Sequence, residues 1–372
     1  MSGVYIHVPF CKKKCNYCAF YSTTILENVD MFVESLCREI CLRKDYIHDD
    51  VETIYFGGGT PSLLQYKHLK RILKTVKDNF DVIAEPEVTI ECNPRDLNKQ
   101  KVEELLQLGF NRLSIGIQSF VNKNLDLLGR DHDLEHIYSA VEAVKASNIV
   151  NFNLDIIYGL PDQTEEDLIY DLQELVKIKP QHISAYSLSI EKNTPLFISV
   201  ENGALSKLSD DISAEYYLRV NEFLEQSGYE HYEVSNYCLH GCESKHNSIY
   251  WDITKSYVGF GPAAHSYDLA SRQWNVANVD NYIASIHAGV VPATVEWLNE
   301  EQRLYEYVLT SLRTKRGCDV NILERKFDFN MKPSIIDFLL KRDLIYVNDK
   351  SINLTAKGFL YLDNIVKQIV LS

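Results

Sequence analysis

The sequence predicts an α/β fold: a partial (β/α)6 TIM-like barrel followed by a small C-terminal winged-helix-like α+β domain. Three observations carry this reading. Strand-like apolar runs and helical periodicities alternate six times over residues 1–190, which implies a parallel sheet with right-handed crossovers. Cysteine, glycine or polar residues stand at the C-terminal end of nearly every strand, at the cysteine loop, the glycine loop, Glu91, Gln118 and Asp155, the arrangement of a barrel with one active face. Alternation alone would also satisfy a doubly wound sheet. Beyond residue 300, helices are followed by two short strands, as in a winged helix.

Taken in order, the first strand is the apolar run 4–8, stopped by Pro9. Residues 30–44 set Phe32, Leu36 and Ile40 at helical spacing, with Cys37 and Cys41 one step round from that stripe and read as small core residues. Strand 51–56 ends in Gly57, Gly58, Gly59, Thr60 and Pro61, and a helix runs on to residue 79. Strands 87–91, 112–117, 151–157 and 182–188 then alternate with helices 98–108, 133–146 and 165–177. After residue 229 the rhythm shortens to strands such as 231–237 and 257–260. From residue 300 Leu304, Val308 and Leu312 share a helical face, helices follow near 320–326 and 334–341, and strands 344–347 and 351–354 pair through Asn348, Asp349 and Lys350. The expected division is a barrel over 1–228, a β-rich extension over 229–299 and the small domain over 300–372.

At 372 residues and 45% hydrophobic content the chain affords a sizeable core, and no run of eighteen apolar residues offers a membrane span. The N-terminus lacks the regions of a signal peptide, so the expected location is cytoplasmic. A net charge of −14 argues against nucleic acid, and the run Lys12 to Lys14 reads as counter-charge to a thiolate cluster. Nine cysteines without a regular framework fit a reducing compartment.

Cys11, Cys15 and Cys18 follow the first strand at spacing C-x3-C-x2-C. Thiolates select iron–sulfur clusters, zinc or copper, and a short loop folds three sulfurs toward one point. A cubane cluster has four irons, so three protein thiolates leave one open to a small molecule. A structural zinc with His7 or a distant cysteine as fourth ligand satisfies the same spacing. A disulfide would need an oxidising compartment.

The loop resembles that of radical S-adenosylmethionine (SAM) proteins, in which the open iron chelates the amino and carboxylate groups of SAM and an electron from the cluster cleaves it. The lead-in from Tyr5 to Phe10 narrows the resemblance to the HemN/HemW group, the oxygen-independent coproporphyrinogen III oxidases and the HemW-type haem chaperones. It implies a 4Fe-4S cluster on Cys11, Cys15 and Cys18, and SAM against Tyr5, Tyr17, Gly58, Gly59, Thr60, Glu91, Gln118, Arg130 and Asp155. Read by themselves, the glycines let a ligand approach the backbone, while any one of the polar residues suits a strand-end cap or an ion pair. As a set at strand ends they read as a binding face. Arg95 departs from the Asn-Pro-Gly usual in related chains, and Cys92 reads as a packed neighbour.

His246, Tyr250 and Trp251 belong to an H-N-x-x-Y-W run. A histidine offers an axial nitrogen and the aromatics offer flat apolar surfaces to a planar macrocycle. The run resembles the haem-binding signature of HemW-type chaperones, which implies haem binding at His246. Cys238, His240 and Cys242 are a rival ligand source, and no C-x-x-C-H motif for covalent attachment occurs.

Two functions follow from the resemblance. One is a haem chaperone that carries a cluster and SAM, draws on an electron donor and hands haem to an acceptor protein. The other is a coproporphyrinogen III oxidase that decarboxylates propionates. Phe20 stands where the oxidases carry a further cysteine, their N-terminal extension is missing, and they lack the run at 246–251, so the chaperone is the expected function and oxidase activity is not.

Overall fold

The first strand sets the frame. β1 (Ser2–Val8) is buried on both faces, which explains an apolar run without alternation. In the computed structural model, which describes residues 1–348 and 350–371, β1 is followed by α1 (Val29–Leu42), β2 (Val51–Gly58), α2 (Tyr66–Asn79), β3 (Val82–Cys92), α3 (Lys99–Leu108), β4 (Arg112–Gln118), α4 (Asn122–Leu128), α5 (Leu134–Lys145), β5 (Asn151–Tyr158), α6 (Glu165–Ile178) and β6 (His182–Ser187). The six strands are parallel and neighbours in chain order, so their C-terminal ends share one rim. β1 and β6 do not meet, and the sheet stays open as a partial barrel.

The chain then adds to both flanks of this sheet. After α7 (Pro195–Glu201) and α8 (Asp210–Gln226), the hairpin β7 (Glu230–Glu233) and β8 (Asn236–Cys238) pairs antiparallel with β6. Beyond α9 (Lys245–Tyr250), β9 (Tyr257–Phe260) runs parallel to the other side of β1, and β10 (His265–Tyr267), β11 (Ser271–Asn275) and, after α10 (Val279–His287), β12 (Ala293–Trp297) extend that flank, so that the whole sheet has twelve strands among the described residues. The C-terminal region comprises α11 (Glu300–Leu312), β13 (Cys318–Asp319), α12 (Val320–Phe327), α13 (Pro333–Lys341), β14 (Ile345–Val347), β15 (Ser351–Leu354), α14 (Ala356–Phe359) and α15 (Leu362–Val370), with its own three-stranded sheet. The anticipated pairing of the last two strands is present; Asp349, in its connection, lies outside the described residues. Among the described residues no helix is long and apolar enough to cross a membrane.

Several sequence expectations need correction. Cys37 is buried but Cys41 is exposed, because the apolar stripe of α1 ends at Ile40 and the next position faces water. The stretch 231–237 is two strands rather than one: the amide of Val234 donates to the carbonyl of Arg313 and breaks the run. β3 begins at Val82, and its pairing with β2 skips from Val82 to Glu87 across Pro86, which has no N–H to give to a ladder.

A buried ion pair fixes the β9 flank to α1. Glu39 accepts from Arg43 at 3.1 Å, Asn275 at 2.8 Å, the Gly261 amide at 2.8 Å and the Tyr282 hydroxyl at 2.6 Å. Arg43 also donates to the Gly259 carbonyl at 2.8 Å and to Ser266 at 3.0 Å. Every lone pair of the carboxylate is used, which is what makes an interior charge tolerable. Glu39→Ala strands Arg43 in the core, and a loss of about 3–5 kcal/mol in urea unfolding is expected; a loss under about 1 kcal/mol would mean the network is replaced by water.

Candidate functional site

The site begins where the backbone of β1 runs out. The cysteine loop is closed at its base by Thr23, whose amide donates to the Pro9 carbonyl at 2.7 Å while its carbonyl accepts from the Cys11 amide at 2.9 Å. Its middle is tied to α4 through the Asn16 amide and the Leu128 carbonyl at 2.9 Å. The glycine loop packs directly on it. The Gly59 amide donates to the Val8 carbonyl at 2.7 Å and the Thr60 amide to the Phe10 carbonyl at 2.8 Å. A Cβ on Gly59 would lie 2.7 Å from that Phe10 oxygen, and one on Gly58, whose φ is +107°, would lie 2.6 Å from the His7 ring. These two glycines are therefore required by the neighbouring loop, whatever a ligand asks of them. Gly57 makes room for a carboxylate, since its Cβ would sit 2.9 Å from Glu91 Oε1.

Above these loops lies a cavity of about 590 Å³, within the range of small-molecule sites. Eleven of the thirteen sequence-derived residues line it: Cys11, Cys15, Cys18, Tyr17, Gly58, Gly59, Thr60, Glu91, Gln118, Arg130 and Asp155. Burial pushes the Cys11 and Cys18 thiols up, opposed at Cys11 by the Thr60 hydroxyl 3.6 Å away and at Cys18 by the Phe20 backbone amide and, more weakly, Lys14. Lys12 serves elsewhere, paired with Asp96 at 2.5 Å. Arg130 donates to Cys15 Sγ at 3.3 Å and to the Gly116 carbonyl at 2.8 Å, and its buried Nε has no partner among the described residues.

The acids come from the rim. Glu91 accepts from Tyr55 at 2.9 Å and from the Gly58 amide at 3.1 Å, yet burial outweighs both bonds and raises its carboxyl to about 7. Asp155 accepts from Asn153 at 2.6 Å and Ser114 at 3.3 Å, and burial raises it too. Gln118 sits at φ +70°, a left-handed conformation at the end of β4 where the register with β5 breaks. Backbone strain of this kind concentrates at functional sites.

Two expected residues lie outside the cavity lining. Tyr5 is one layer deeper, its hydroxyl 3.1 Å from His7 Nδ1 and its ring stacked near Tyr55 and His246. His246 is 1% exposed, with Nδ1 2.7 Å from the Thr53 hydroxyl, Nε2 2.9 Å from the Tyr250 hydroxyl and its ring stacked on Tyr55 at 4.9 Å. Burial lowers it to about 3, so it is neutral, and in this arrangement neither nitrogen is free for a metal. Conversely, Tyr186 and Ser187 at the end of β6 line the cavity and were not anticipated. The strand-end rule that found Glu91 and Asp155 reaches them if carried one strand further. Cys92 is packed as anticipated but also borders the cavity.

Among the described residues no three His, Cys, Asp or Glu side chains are set to share a single metal ion. In a cubane each thiolate takes a different iron, so the three cysteines need not converge on one ion. Soft donors, a guanidinium against one of them and a roomy cavity beyond fit an iron–sulfur cluster with a small molecule beside it.

Fold and site together define a radical SAM protein, and residues 5–175 match the model of the Radical SAM superfamily. The chain is 33% identical to "Heme chaperone HemW" of Lactococcus lactis, spanning 100% of this chain and 97% of that one. It is 32% identical to the protein of the same name from Bacillus subtilis over 96% of each. Among solved structures, coproporphyrinogen III oxidase (HemN) of Escherichia coli superposes with a TM-score of 0.86 at 24% identity, covering 99% of this chain and 89% of that one, which shows a shared fold. The chain belongs to the HemW family.

The Glu91 carboxyl supplies a pH test. It titrates near 4.5 when unfolded and about 7 when folded, so between those values the folded chain holds more protons and loses stability as pH rises. Glu91→Gln cannot titrate. In urea melts of protein prepared without iron, the stability of the variant relative to wild type is expected to climb from pH 4.5 to 7 and level off above. A flat difference would mean that Glu91 ionises at its ordinary value.

Proposed function

We propose that this protein is a haem chaperone, which binds haem and passes it to an acceptor protein while keeping a cluster and SAM in the cysteine cavity. End-to-end similarity to proteins named as haem chaperones carries the reading, and the presence of the 246–251 run supports it. Cys11, Cys15 and Cys18 would hold three irons of a 4Fe-4S cluster, leaving the fourth to SAM on the side of Gly58, Gly59, Thr60 and Glu91. When bound, that pair supplies one-electron chemistry, for which an electron donor is required. Arg130 and Lys14 offset the charge of the thiolates, and Tyr17 packs against Leu128, Ile157 and Leu160 to close one wall. A reducing compartment such as the cytoplasm suits this set of free thiols.

The complete cavity lining favours a second reading, a radical SAM oxidoreductase of the coproporphyrinogen oxidase type. Against it stands Phe20, which borders the cavity and is 73% exposed where the oxidases carry a cysteine.

Replacing Cys11, Cys15 and Cys18 together by Ala is expected to remove iron, sulfide and the EPR signal of the reduced protein, whereas a Cys238→Ala/Cys242→Ala pair keeps them. SAM is expected to perturb that signal in wild type. Retention of a full cluster by the triple variant would overturn the assignment. In parallel, anaerobically reconstituted protein is expected to bind haem saturably and leave coproporphyrinogen III unconsumed; turnover to protoporphyrinogen IX with stoichiometric use of SAM would put the oxidase first.

A further inference from the structure

Asp171 is an acid on the apolar stripe of a helix. It stands on α6 among the buried Leu168, Leu172 and Leu175, is 1% exposed and does not border the cysteine cavity. A carboxylate in such a place needs donors to offset its lost hydration. Among the described residues they come from one turn alone, the one that follows β4: the Ser119 hydroxyl lies 3.0 and 2.8 Å from its two oxygens, and the Phe120 amide donates to one of them.

That turn carries Gln118. Its φ is +70°, and the Ser119 amide reaches back across it to the Ile117 carbonyl at 3.0 Å, which makes a γ-turn of positive φ, the rare and strained form. Strain of this kind persists only where the surroundings over-determine the backbone. Here they do so from both sides. The Ile117 carbonyl accepts a second bond, at 3.1 Å, from Nε2–H of the buried His132, and Asp171 grips the two residues that follow Gln118. The side chain of Gln118 is thereby laid over Gly116, where a Cβ would lie 2.8 Å from its Nε2 and 3.5 Å from Arg130, so that amide and guanidinium share one wall of the cavity. The Ser119 oxygen also accepts from the Val121 amide at 3.1 Å and from Asn124 at 3.2 Å, which joins the turn to α4. The helix has its own tie to α6, since Lys123 pairs with Asp167 at 2.6 Å. Loss of Asp171 therefore frees the turn without freeing α4.

We propose that Asp171 is a positioning residue for the SAM side of the cavity: through Ser119 and Phe120 it holds the strained turn that aims Gln118 into the cavity beside Arg130. This rests on the SAM reading above. Asp171 touches no ligand itself, and its effect passes through one side chain that does line the site. A residue with only a structural role would have no such dependence on Gln118.

The test uses full-length, anaerobically reconstituted protein and two measurements. In hydrogen exchange, Asp171→Ala is expected to speed exchange across residues 117–121. In a SAM titration of the reduced cluster followed by EPR, Asp171→Ala and Gln118→Ala are each expected to raise the half-saturating SAM concentration about tenfold, with iron and sulfide at wild-type levels. The double variant is expected to lose no more than Gln118→Ala alone, because a residue that acts through Gln118 then has nothing left to act on. Should Asp171→Ala fail to fold, Ser119→Ala cuts the same link and enters the same cycle. Additive losses, wild-type SAM affinity in either single variant, or unchanged exchange across 117–121 overturns the proposal and leaves the SAM reading standing. No EPR change in wild type at saturating SAM overturns that reading and the proposal with it.

Discussion

The site depends on how closely three backbones pass at the end of β1. Gly58 and Gly59 approach it from β2, and Gly261 approaches from the end of β9, where a Cβ would lie 2.5 Å from the His7 carbonyl oxygen. Side chains on both flanks must vanish for the cysteine loop to leave the sheet at the angle that turns Cys11, Cys15 and Cys18 over the rim. His7 locks the junction, its Nε2–H donating to the Tyr21 carbonyl at 3.0 Å and its Nδ1 accepting from Tyr5. Burial lowers this imidazole to about 4, so the junction carries no charge at neutral pH. The order of the loop comes from backbone hydrogen bonds and excluded volume, and the thiols inherit their positions from it.

Beneath the cavity the interior is a stack of polar groups. Glu91 meets Tyr55, Tyr55 stacks on His246, and His246 meets Tyr250. Each hydrogen-bonding group finds a partner in the next layer, so the polar side chains that a barrel interior needs at one rim are supported from below. Fixed charges are few: Arg112 is buried in this interior, Glu39 and Arg43 lie on the flank, and Arg130 stands against Cys15 at the rim.

The parallel half of the fold and most of the cavity were legible in the sequence because both follow from period: apolar runs of strand length alternate with helical stripes, and rim residues occur at predictable strand ends. Glu91, Gln118 and Asp155 stand at such ends and do converge, together with Arg130, which follows α4 and came only from the family resemblance. Tyr186 escaped because its strand end carries no acid or glycine; it lies level with Ile157, two residues beyond the Ser184 that pairs with Asp155. The helix α8 was also readable, with Ser209 as its N-cap and Tyr216, Tyr217, Val220 and Leu224 at core spacing, but the strand that follows it, β7, is only four residues long and gives the βα rhythm no cue. The depth of Tyr5 and His246 was beyond sequence reasoning, since a motif states which residues are near one another in the chain and not which ring nitrogen another hydroxyl already holds. The strands β10 to β12 are three to five residues long and half exposed, too short for alternation to show.

The course of the chain through the large sheet also bears on how the protein could be divided. β1 carries the cysteine loop, yet its two neighbours are drawn from distant parts of the sequence, β2 on one side and β9 on the other. A fragment ending at residue 228 would keep every cavity residue and still leave Gly3 to Ile6 without the partner that Tyr257 to Phe260 provides. The strand bearing the loop would become a bare edge, able to pair with its counterpart in another copy. β6 would lose its partner β8 as well. The smallest piece able to present the three cysteines in register is therefore set by strand pairing and extends at least through β9, well past the last residue that touches the cavity.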